Sequence, residues 1–481
     1  MRLSKKIVYS VAATTVNVLS GFLRNKIFAI YLSVSLFGIL SLAQQGLSIL
    51  FTLFAFGIPV GISSYLAKLS AVPQGVKKLA VSKIIGMVFT LSLVVLLLLV
   101  LAFVFIPDVV SFTISGSNDF ILPVFIILLA CPFMIIQNSL VSAMEGLGLV
   151  KELTSFKIVP AILFLPIILF FVQKYHFTGA AVGVFVTEFS FAVFAFVALR
   201  KNFSISKEML SFFEVAKEVM SFAAASVLVG GVWMIADFVL KRYLLATFGQ
   251  IENGIVQSVA KIVDLYPIVV LSWLNLHLFP VLGASRDDKK AVVGHLERTV
   301  LISVSLIIPV VFFLFLFREQ ILSLLYQKDF TIAQDYFATM LLAGILKVAS
   351  WVVGTALLPL GLRKEWFISS QLYIIAYVCL AIIGLHAGFG IYVIPFATIL
   401  GLSIQFFVTV YLFTKRGFKF SHNFVIQIIL YGFITLFLFF GKLSFMFLFM
   451  AMIVFLLIII RYKLIHDVYI LIQNAIQKAT A

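Results

Sequence analysis

The segment 84–106, IIGMVFTLSLVVLLLLVLAFVFI, carries no charged side chain over 23 positions. A helix rises about 1.5 Å per residue, so this segment can cross the roughly 30 Å hydrocarbon core of a bilayer. Thirteen further apolar runs lie along the chain, bounded by charged residues or by Gly, Pro and Asn. The predicted spans are 8–32, 37–66, 84–106, 121–144, 153–173, 178–199, 219–246, 254–281, 292–317, 335–360, 366–386, 389–413, 424–440 and 443–460. The sequence therefore predicts an all-α, polytopic membrane protein with about 14 transmembrane helices.

The composition excludes a water-soluble enzyme of this size. Of the 481 residues, 63% are hydrophobic and 11% are charged, whereas soluble domains average about 45–50% apolar and about 25% charged residues. The formal net charge of +16 would suggest a nucleic-acid partner in a soluble chain. In a membrane protein, however, lysine and arginine accumulate in cytoplasmic loops. We therefore expect membrane lipids, and no nucleic acid, as partners.

The basic residues predict the orientation. With the N-terminus in the cytoplasm, the cytoplasmic loops and tails hold most of the lysines and arginines that lie outside the spans. The outer loops then hold only Lys174, Arg318, Lys328 and Lys442. This asymmetry follows the positive-inside rule. An even number of spans places both basic termini in the cytoplasm.

A short motif indicates an internal repeat. Residues 147–152 read LGLVKE and residues 360–365 read LGLRKE, which agree at five of six positions. Each half then holds six spans, so both halves cross the membrane in the same sense and are related by a pseudo-two-fold axis along the membrane normal. Chance similarity between two helix-exit sequences is the alternative. The repeat predicts an N-terminal lobe over 1–205, a C-terminal lobe over 206–418, and two extra spans with a cytoplasmic tail over 419–481.

Charged residues inside the spans are the candidate site residues. Each costs about 2.5–3.5 kcal/mol on insertion scales and normally faces a partner or a water-filled cavity. Asp237 and Lys241 are spaced i,i+4, and Lys261 and Asp264 are spaced i,i+3, so each pair shares a helix face. Such pairs either neutralise themselves or line a polar cavity. Arg24 has no acidic residue in its own span, so it faces a cavity or pairs with another helix.

The basic residues outnumber the acidic ones in this set. A cationic cavity between the two halves suits an anionic group, and arginine matches phosphate oxygens in a bidentate way. The predicted substrate-binding residues are Arg24, Lys241, Lys261, Lys347, Lys26 and Arg242. Lys26 and Arg242 lie nearer an interface, where snorkelling is the simpler explanation. Asp237, Asp264 and Glu188 are the coupling-ion candidates, because carboxylates can take a proton or ligate sodium. Gln44, Gln45, Gln137 and Asn138 accompany them, or make ordinary interhelical hydrogen bonds.

Motifs for chemistry are missing from the sequence. It has no Walker A loop, no nucleophile–base pair and no His/Cys/carboxylate cluster with metal-ligand spacing. The two cysteines, Cys131 and Cys379, both lie in apolar runs. We therefore expect no enzymatic activity, no catalytic residues, no cofactor and no bound metal.

The opening of the chain resembles the bacterial polysaccharide flippases of the multidrug/oligosaccharidyl-lipid/polysaccharide superfamily. The match rests on Gly21-Phe22-Leu23-Arg24, on Phe37-Gly38 and on the stretch GIPVGISS at 57–64, which also resembles the lipid II flippase branch. Leu278-Phe279-Pro280 adds a feature from the second half. Ser33-Val34-Ser35 departs from the family's commoner Leu-Gly start at the first outer turn, which leaves the subfamily open.

The resemblance implies a function. It is the movement of an undecaprenyl-pyrophosphate-linked oligosaccharide from the cytoplasmic to the outer leaflet of the bacterial inner membrane. The implied mechanism is alternating access by a monomer, with H⁺ or Na⁺ as the candidate coupling ions. Arg24 matches the family's first-span arginine. The alternatives are a cation-coupled multidrug exporter of the same superfamily, which usually has an acidic cavity, and a membrane glycosyltransferase or polymerase, which needs a supported catalytic carboxylate.

Overall fold

The computed structural model describes residues 16, 19–69, 73–203, 211–265, 267, 278–279, 281–283, 285–421 and 424. Within these residues the regular structure is helical, with sixteen helices. Helix α1 covers 19–31. The others are α2 Val34–Ala55, α3 Ile58–Lys68, α4 Gln74–Phe105, α5 Pro107–Ser115, α6 Ile121–Leu128, α7 Cys131–Gly146, α8 Val150–Leu163, α9 Leu165–Leu199, α10 Phe213–Phe248, α11 Gln250–Val263, α12 Lys289–Leu316, α13 Arg318–Leu325, α14 Gln334–Thr355, α15 Arg363–His386 and α16 Val393–Lys415.

The prediction of an all-α, polytopic membrane protein is confirmed. Eight helical stretches of the described residues are long and apolar enough to cross a membrane. They correspond to predicted spans two to six and nine to twelve, because spans five and six share one stretch. Helix α10 matches span seven, and α1 and α11 match the described parts of spans one and eight. Spans thirteen and fourteen lie outside the described residues.

The chain divides into two compact units. The first comprises Met1–Gly254 with Leu325–Gln327, and the second comprises Ile255–Leu324 with Lys328–Ala481. The unit boundary therefore follows α10, whereas the predicted lobe boundary at 205 precedes it. The lobes were defined by the repeat and by an even division of the spans, which is a different criterion from compactness. The division into lobes over 1–205, 206–418 and 419–481 stays a prediction.

The sequence repeat is also a repeat of backbone geometry. After α7, the N–H of Leu149 bonds the carbonyl of Met144 at 2.9 Å, and the N–H of Gly148 bonds that of Glu145 at 3.0 Å. Before α15, Leu362 bonds Leu357 at 2.9 Å and Gly361 bonds Leu358 at 3.0 Å. Both are the paired hydrogen bonds of a Schellman motif, which requires a left-handed residue. Gly148 and Gly361 supply it, with φ of 69° and 78°.

The order of elements before each exit motif is also shared. A long helix (α4 or α12) is followed by a short helix (α5 or α13), a 3-10 turn, and the helices that end in the motif. The two short helices were not predicted from the sequence. Helix α5 begins at Pro107, where the missing N–H of proline ends α4 and its fixed φ favours a new first turn.

Three of the predicted spans are broken rather than continuous. Span two splits into α2 and α3 at Phe56 and Gly57, whose φ values are 40° and 71°. Below the break, a Cβ on Gly61 would meet the carbonyl oxygen of Val219 on α10. The family-like stretch 57–64 therefore combines a helix break with a close helix crossing. Span four splits between α6 and α7, and span five splits between α8 and α9 at Phe164.

Spans five and six form a hairpin. The chain leaves helical geometry at His176, with φ 46° and ψ −115°. A Cβ on Gly179 would meet the carbonyl oxygen of Phe171, and a Cβ on Gly183 would lie 3.1 Å from Ile168. The two legs therefore run antiparallel and pack through glycine.

The two exit motifs predict equal responses to substitution. Gly148→Ala and Gly361→Ala should each destabilise the protein by about 1 kcal/mol, because a Cβ is disfavoured in the left-handed region. Gly230→Ala is the control, since Gly230 lies in α10 with nothing within 4 Å of an added Cβ. It should be neutral or stabilising. Thermal unfolding of the detergent-solubilised protein measures all three, and an undisturbed Gly361→Ala variant would contradict the repeat.

Candidate functional site

Predicted site residues form three polar clusters within the described residues. The Arg24 cluster consists of Arg24, Gln137 and Glu188, on helices α1, α7 and α9. The Asp237 cluster consists of Gln45 on α2 with Asp237 and Lys241 on α10. The Asp264 cluster consists of Asp264, directly after α11, with Lys347 and Trp351 on α14. The first two belong to the first compact unit and the third to the second.

In the Arg24 cluster, the acidic partner comes from another helix. The negative charge of Glu188 acts on Arg24, and Gln137 Nε2 donates a hydrogen bond to Glu188 Oε2. The sequence has no acidic residue in the span that contains Arg24. In the structure, the nearby acidic residue is Glu188, which belongs to span six. The Nε of Arg24 is nevertheless buried, and it donates a hydrogen bond to no acceptor among the described residues. Glu188 is therefore near enough to interact electrostatically with Arg24, while the Nε donor of the guanidinium group stays without an acceptor among the described residues.

In the Asp237 cluster, one carboxylate oxygen serves two donors. Lys241 Nζ lies 2.7 Å from Asp237 Oδ2, and Gln45 Nε2 donates to the same oxygen at 2.7 Å. The Lys241 and Asp237 side chains are only 15% and 13% exposed. The i,i+4 pair expected from the sequence is therefore formed, and Gln45 joins α2 to it. Gln45 was predicted to accompany the site, but its hydrogen bond to Asp237 was not predicted.

In the Asp264 cluster, the ion pair joins two residues that lie far apart in the sequence. Lys347 Nζ donates to Asp264 Oδ1 at 2.7 Å and lies 5.1 Å from the centre of the Trp351 ring. The side chain of Lys347 is 17% exposed, whereas that of Asp264 is 63% exposed. The spacing along α11 pointed to Lys261 as the partner of Asp264. The structure adds Lys347, which lies 83 positions later and could not be inferred from spacing on one helix.

Helix α11 carries a polar stripe that leads to Asp264. Asn253, Gln257, Lys261 and Asp264 recur at intervals of four, four and three, so they share one face. Asn253 and Gln257 are buried, at 0% and 4% exposure. Both amide atoms of Asn253 and the Nε2 of Gln257 lack partners among the described residues. Buried amides without partners are costly, so these two side chains are candidate contacts for a polar ligand or for water. Asn253 was not among the predicted site residues, although its spacing four positions before Gln257 was a usable signal.

Arg242 is held by a helix end. Its Nε donates to the Thr113 carbonyl and its Nη2 to the Phe112 carbonyl, both at 2.8 Å. The guanidinium carbon lies 5.3 Å from the centre of the Phe112 ring. These contacts satisfy carbonyls at the C-terminal end of α5. A role for Arg242 in substrate binding stays a prediction, as it does for half-buried Lys26 on α1.

Taken together, these features define a class of protein. A repeated exit motif, helices broken at glycine and proline, and charged clusters inside apolar helices are features of a multi-pass membrane transporter. The family model described as "Polysaccharide biosynthesis protein" matches residues 3–286, which is more than half of the chain. The chain belongs to this family. Among the described residues, no group of three or more His, Cys, Asp or Glu side chains could hold a metal ion.

Curated relatives are flippases. The chain is similar to the lipid III flippase of Escherichia coli (strain K12), with 23% identity over 367 residues, 74% of this chain and 84% of that protein. The lipid III flippase of Shigella flexneri matches with the same values.

Solved structures with the same fold are transporters. The lipid II flippase MurJ, in an inward closed conformation, aligns with a TM-score of 0.69 at 17% identity, covering 95% of this chain and 99% of that chain. An inward-facing multidrug resistance MATE family transporter aligns with a TM-score of 0.69 at 16% identity, covering 86% and 96%. Its description places it in the MOP superfamily. These likenesses establish the fold of that superfamily and confirm the resemblance drawn from the sequence.

The Asp237 cluster predicts an asymmetric response to mutation. Among the described residues, Lys241→Met leaves the Asp237 carboxylate with the hydrogen bond from Gln45 but no basic partner, so this substitution should destabilise the protein by about 3–5 kcal/mol. Asp237→Asn combined with Lys241→Met removes both charges and should lower the free energy of unfolding much less than Lys241→Met alone. Thermal unfolding of the wild type, both single variants and the double variant measures the coupling. If the stability changes of the two single variants add up to that of the double variant, the two side chains do not stabilise the protein as a pair.

Proposed function

We propose that this chain is a flippase that moves an undecaprenyl-pyrophosphate-linked oligosaccharide from the cytoplasmic to the outer leaflet of the bacterial inner membrane. It would work as a non-enzymatic monomer by alternating access, with both termini in the cytoplasm. Family membership in polysaccharide biosynthesis and the similarity to proteins named as lipid III and lipid II flippases support a lipid-linked saccharide as the substrate.

The observation that carries the proposal is the unused donor of Arg24. A guanidinium group cannot lose its charge in a protein, and a buried N–H without an acceptor is unfavourable. Glu188 balances the charge of Arg24 without accepting from its Nε in the described structure. A phosphate oxygen would supply that acceptor, and planar arginine suits two oxygens at once. The pyrophosphate of the substrate is the matching group.

The two lysine–carboxylate pairs suggest how binding is coupled to an ion. Lys241 and Lys347 are each held at 2.7 Å by a carboxylate. A pyrophosphate would compete with Asp237 and Asp264 for the positive charge of these lysines. A proton or a sodium ion on the carboxylate would release the lysine, so substrate binding and ion binding favour each other. Lys261 lies one turn before Asp264 and would add positive charge to the same site. Glu188 would act in the same way on Arg24.

The membrane potential can supply the driving force. A pyrophosphate diester carries about two negative charges. An inside-negative potential of 100 mV drives each outward by about 2.3 kcal/mol, so the two together gain at most about 4.6 kcal/mol. Cations of the protein that move with the substrate reduce this gain. The sequence contains no Walker A loop that would supply energy from a nucleotide.

Arg24→Ala should abolish flipping. The experiment is transport of a defined undecaprenyl-pyrophosphate-linked oligosaccharide by the full chain in proteoliposomes. Arg24→Lys should restore activity only in part, because lysine keeps the charge but loses the bidentate geometry. Arg200→Ala is the matched control, since Arg200 is exposed in the 3-10 turn after α9, and it should transport normally.

A second variant separates binding from structural pairing. If Arg24 serves only to neutralise Glu188, then Arg24→Met combined with Glu188→Gln should transport as well as the wild type. We expect the double variant to be folded and inactive. Normal transport by it, or by Arg24→Ala, would contradict the proposal. Export of a cationic dye by vesicles that do not flip the oligosaccharide would instead support the multidrug exporter.

A further inference from the structure

The first unit contains a cavity that none of the predicted site residues lines. It has a volume of about 420 Å³ and is enclosed by parts of α2, α4, α5, α6 and α10. The lining is almost entirely hydrocarbon and includes Leu50, Phe103, Val110, Phe125 and Phe238. Ser111 and Thr113 are the hydroxyl residues that line it. The Ser111 hydroxyl already donates to the carbonyl of Ser117 at 2.8 Å.

The cavity has the properties of a site for a hydrocarbon chain. It is almost three times the size of an engineered cavity of about 150 Å³ that stays free of water and binds benzene. Some lining residues are also well exposed at the surface of the unit, among them Leu98 at 45% and Val109 at 60%. The cavity is therefore open at an apolar edge, through which an alkyl chain can enter from the bilayer.

A cation lies at one end of the cavity. Arg242 bonds the carbonyl of Thr113, which lines the cavity, and that of Phe112 beside it. These contacts use two of the five N–H donors of the guanidinium group, counting partners in the described part of the chain. The Arg242 side chain is partly exposed. Donors therefore remain for an anionic group placed within about one helical turn of the apolar lining.

We infer that this cavity binds an anionic membrane phospholipid, with one acyl chain inside it and the phosphate at Arg242. If a methylene group takes about the volume of a water molecule in the liquid, roughly 30 Å³, the cavity holds about 14 methylene groups. That suits a single acyl chain. The chain of eleven isoprene units in an undecaprenyl lipid is several times larger. The inference does not depend on the proposed transport function.

Photo-crosslinking tests the occupant directly. The full chain carries benzoylphenylalanine at Phe125, inside the cavity, and is placed in phosphatidylcholine vesicles with a minor fraction of phosphatidylglycerol. Mass spectrometry then measures the two lipid adducts after irradiation. We expect phosphatidylglycerol to be enriched about fivefold over the vesicle composition, the factor typical of one basic residue near an anionic lipid. Benzoylphenylalanine at Leu122 is the control, because Leu122 is 56% exposed on the same helix and does not line the cavity. Its adducts should follow the vesicle composition.

Two substitutions identify the site. Arg242→Gln should bring the enrichment at position 125 down to about onefold. Ala102→Trp fills the cavity and should remove lipid adducts at position 125, whereas Leu101→Trp, on an exposed neighbour outside the lining, should leave them unchanged. Because Arg242 also holds the end of α5, Ala102→Trp provides a test that leaves those hydrogen bonds intact.

Three results would overturn the inference. The first is a ratio of lipid adducts at position 125 of the parent chain that equals the vesicle composition, or the absence of lipid adducts at that position. The second is an unchanged yield at that position in the Ala102→Trp variant. The third is displacement of phosphatidylglycerol by an equal amount of undecaprenyl phosphate, which would assign the cavity to the prenyl lipid instead.

Discussion

An ionised side chain inside a bilayer has to be compensated by another charge or by water, and this requirement organises the described part of the chain. Glu188 interacts electrostatically with Arg24 and accepts a hydrogen bond from Gln137, so α1, α7 and α9 share one cluster. Asp237 receives both Lys241 and Gln45, which ties α2 to α10. Asp264 receives Lys347, which ties the end of α11 to α14. Each carboxylate thus makes a basic residue tolerable in the membrane and, under the proposed function, competes with an anionic ligand for that residue. Under the proposed function, these pairs open when the anionic lipid binds, so the same interactions that stabilise the helices would couple binding to an ion.

Irregular backbone places these clusters. Span two breaks at Phe56 and Gly57, and Gly61 allows α10 to approach α3 closely. In membrane proteins such breaks are tolerated where the backbone is buried in protein or lines a cavity. The two Schellman exits at Gly148 and Gly361 repeat the same geometry in the two halves of the chain. The same backbone geometry for leaving an apolar helix therefore occurs twice, as the predicted repeat of two six-span halves requires.

Features that depend on local sequence were predictable, and features that depend on packing were not. Apolar runs predicted twelve spans that have helical counterparts, because bilayer thickness alone sets their length. The Asp237–Lys241 pair was predictable because helix periodicity places i and i+4 together. The partners of Glu188 and Asp264 were not, since they lie on other helices 51 and 83 positions away. The short helix α5 was also missed, because its nine residues are too few for periodicity to separate them from a loop. The cavity beside it follows from the packing of five helices, which no single-segment pattern contains.

The central claim is that carboxylates and the substrate pyrophosphate compete for the same buried cations. The most direct measurement is the affinity of the purified full chain for undecaprenyl pyrophosphate in detergent, compared between the wild type and Asp237→Asn. Removing the carboxylate charge frees Lys241, so the account predicts binding that is about tenfold tighter, equivalent to about 1.4 kcal/mol. The gain should disappear when Lys241→Met is added. Unchanged or weaker binding by a folded Asp237→Asn variant would contradict the account.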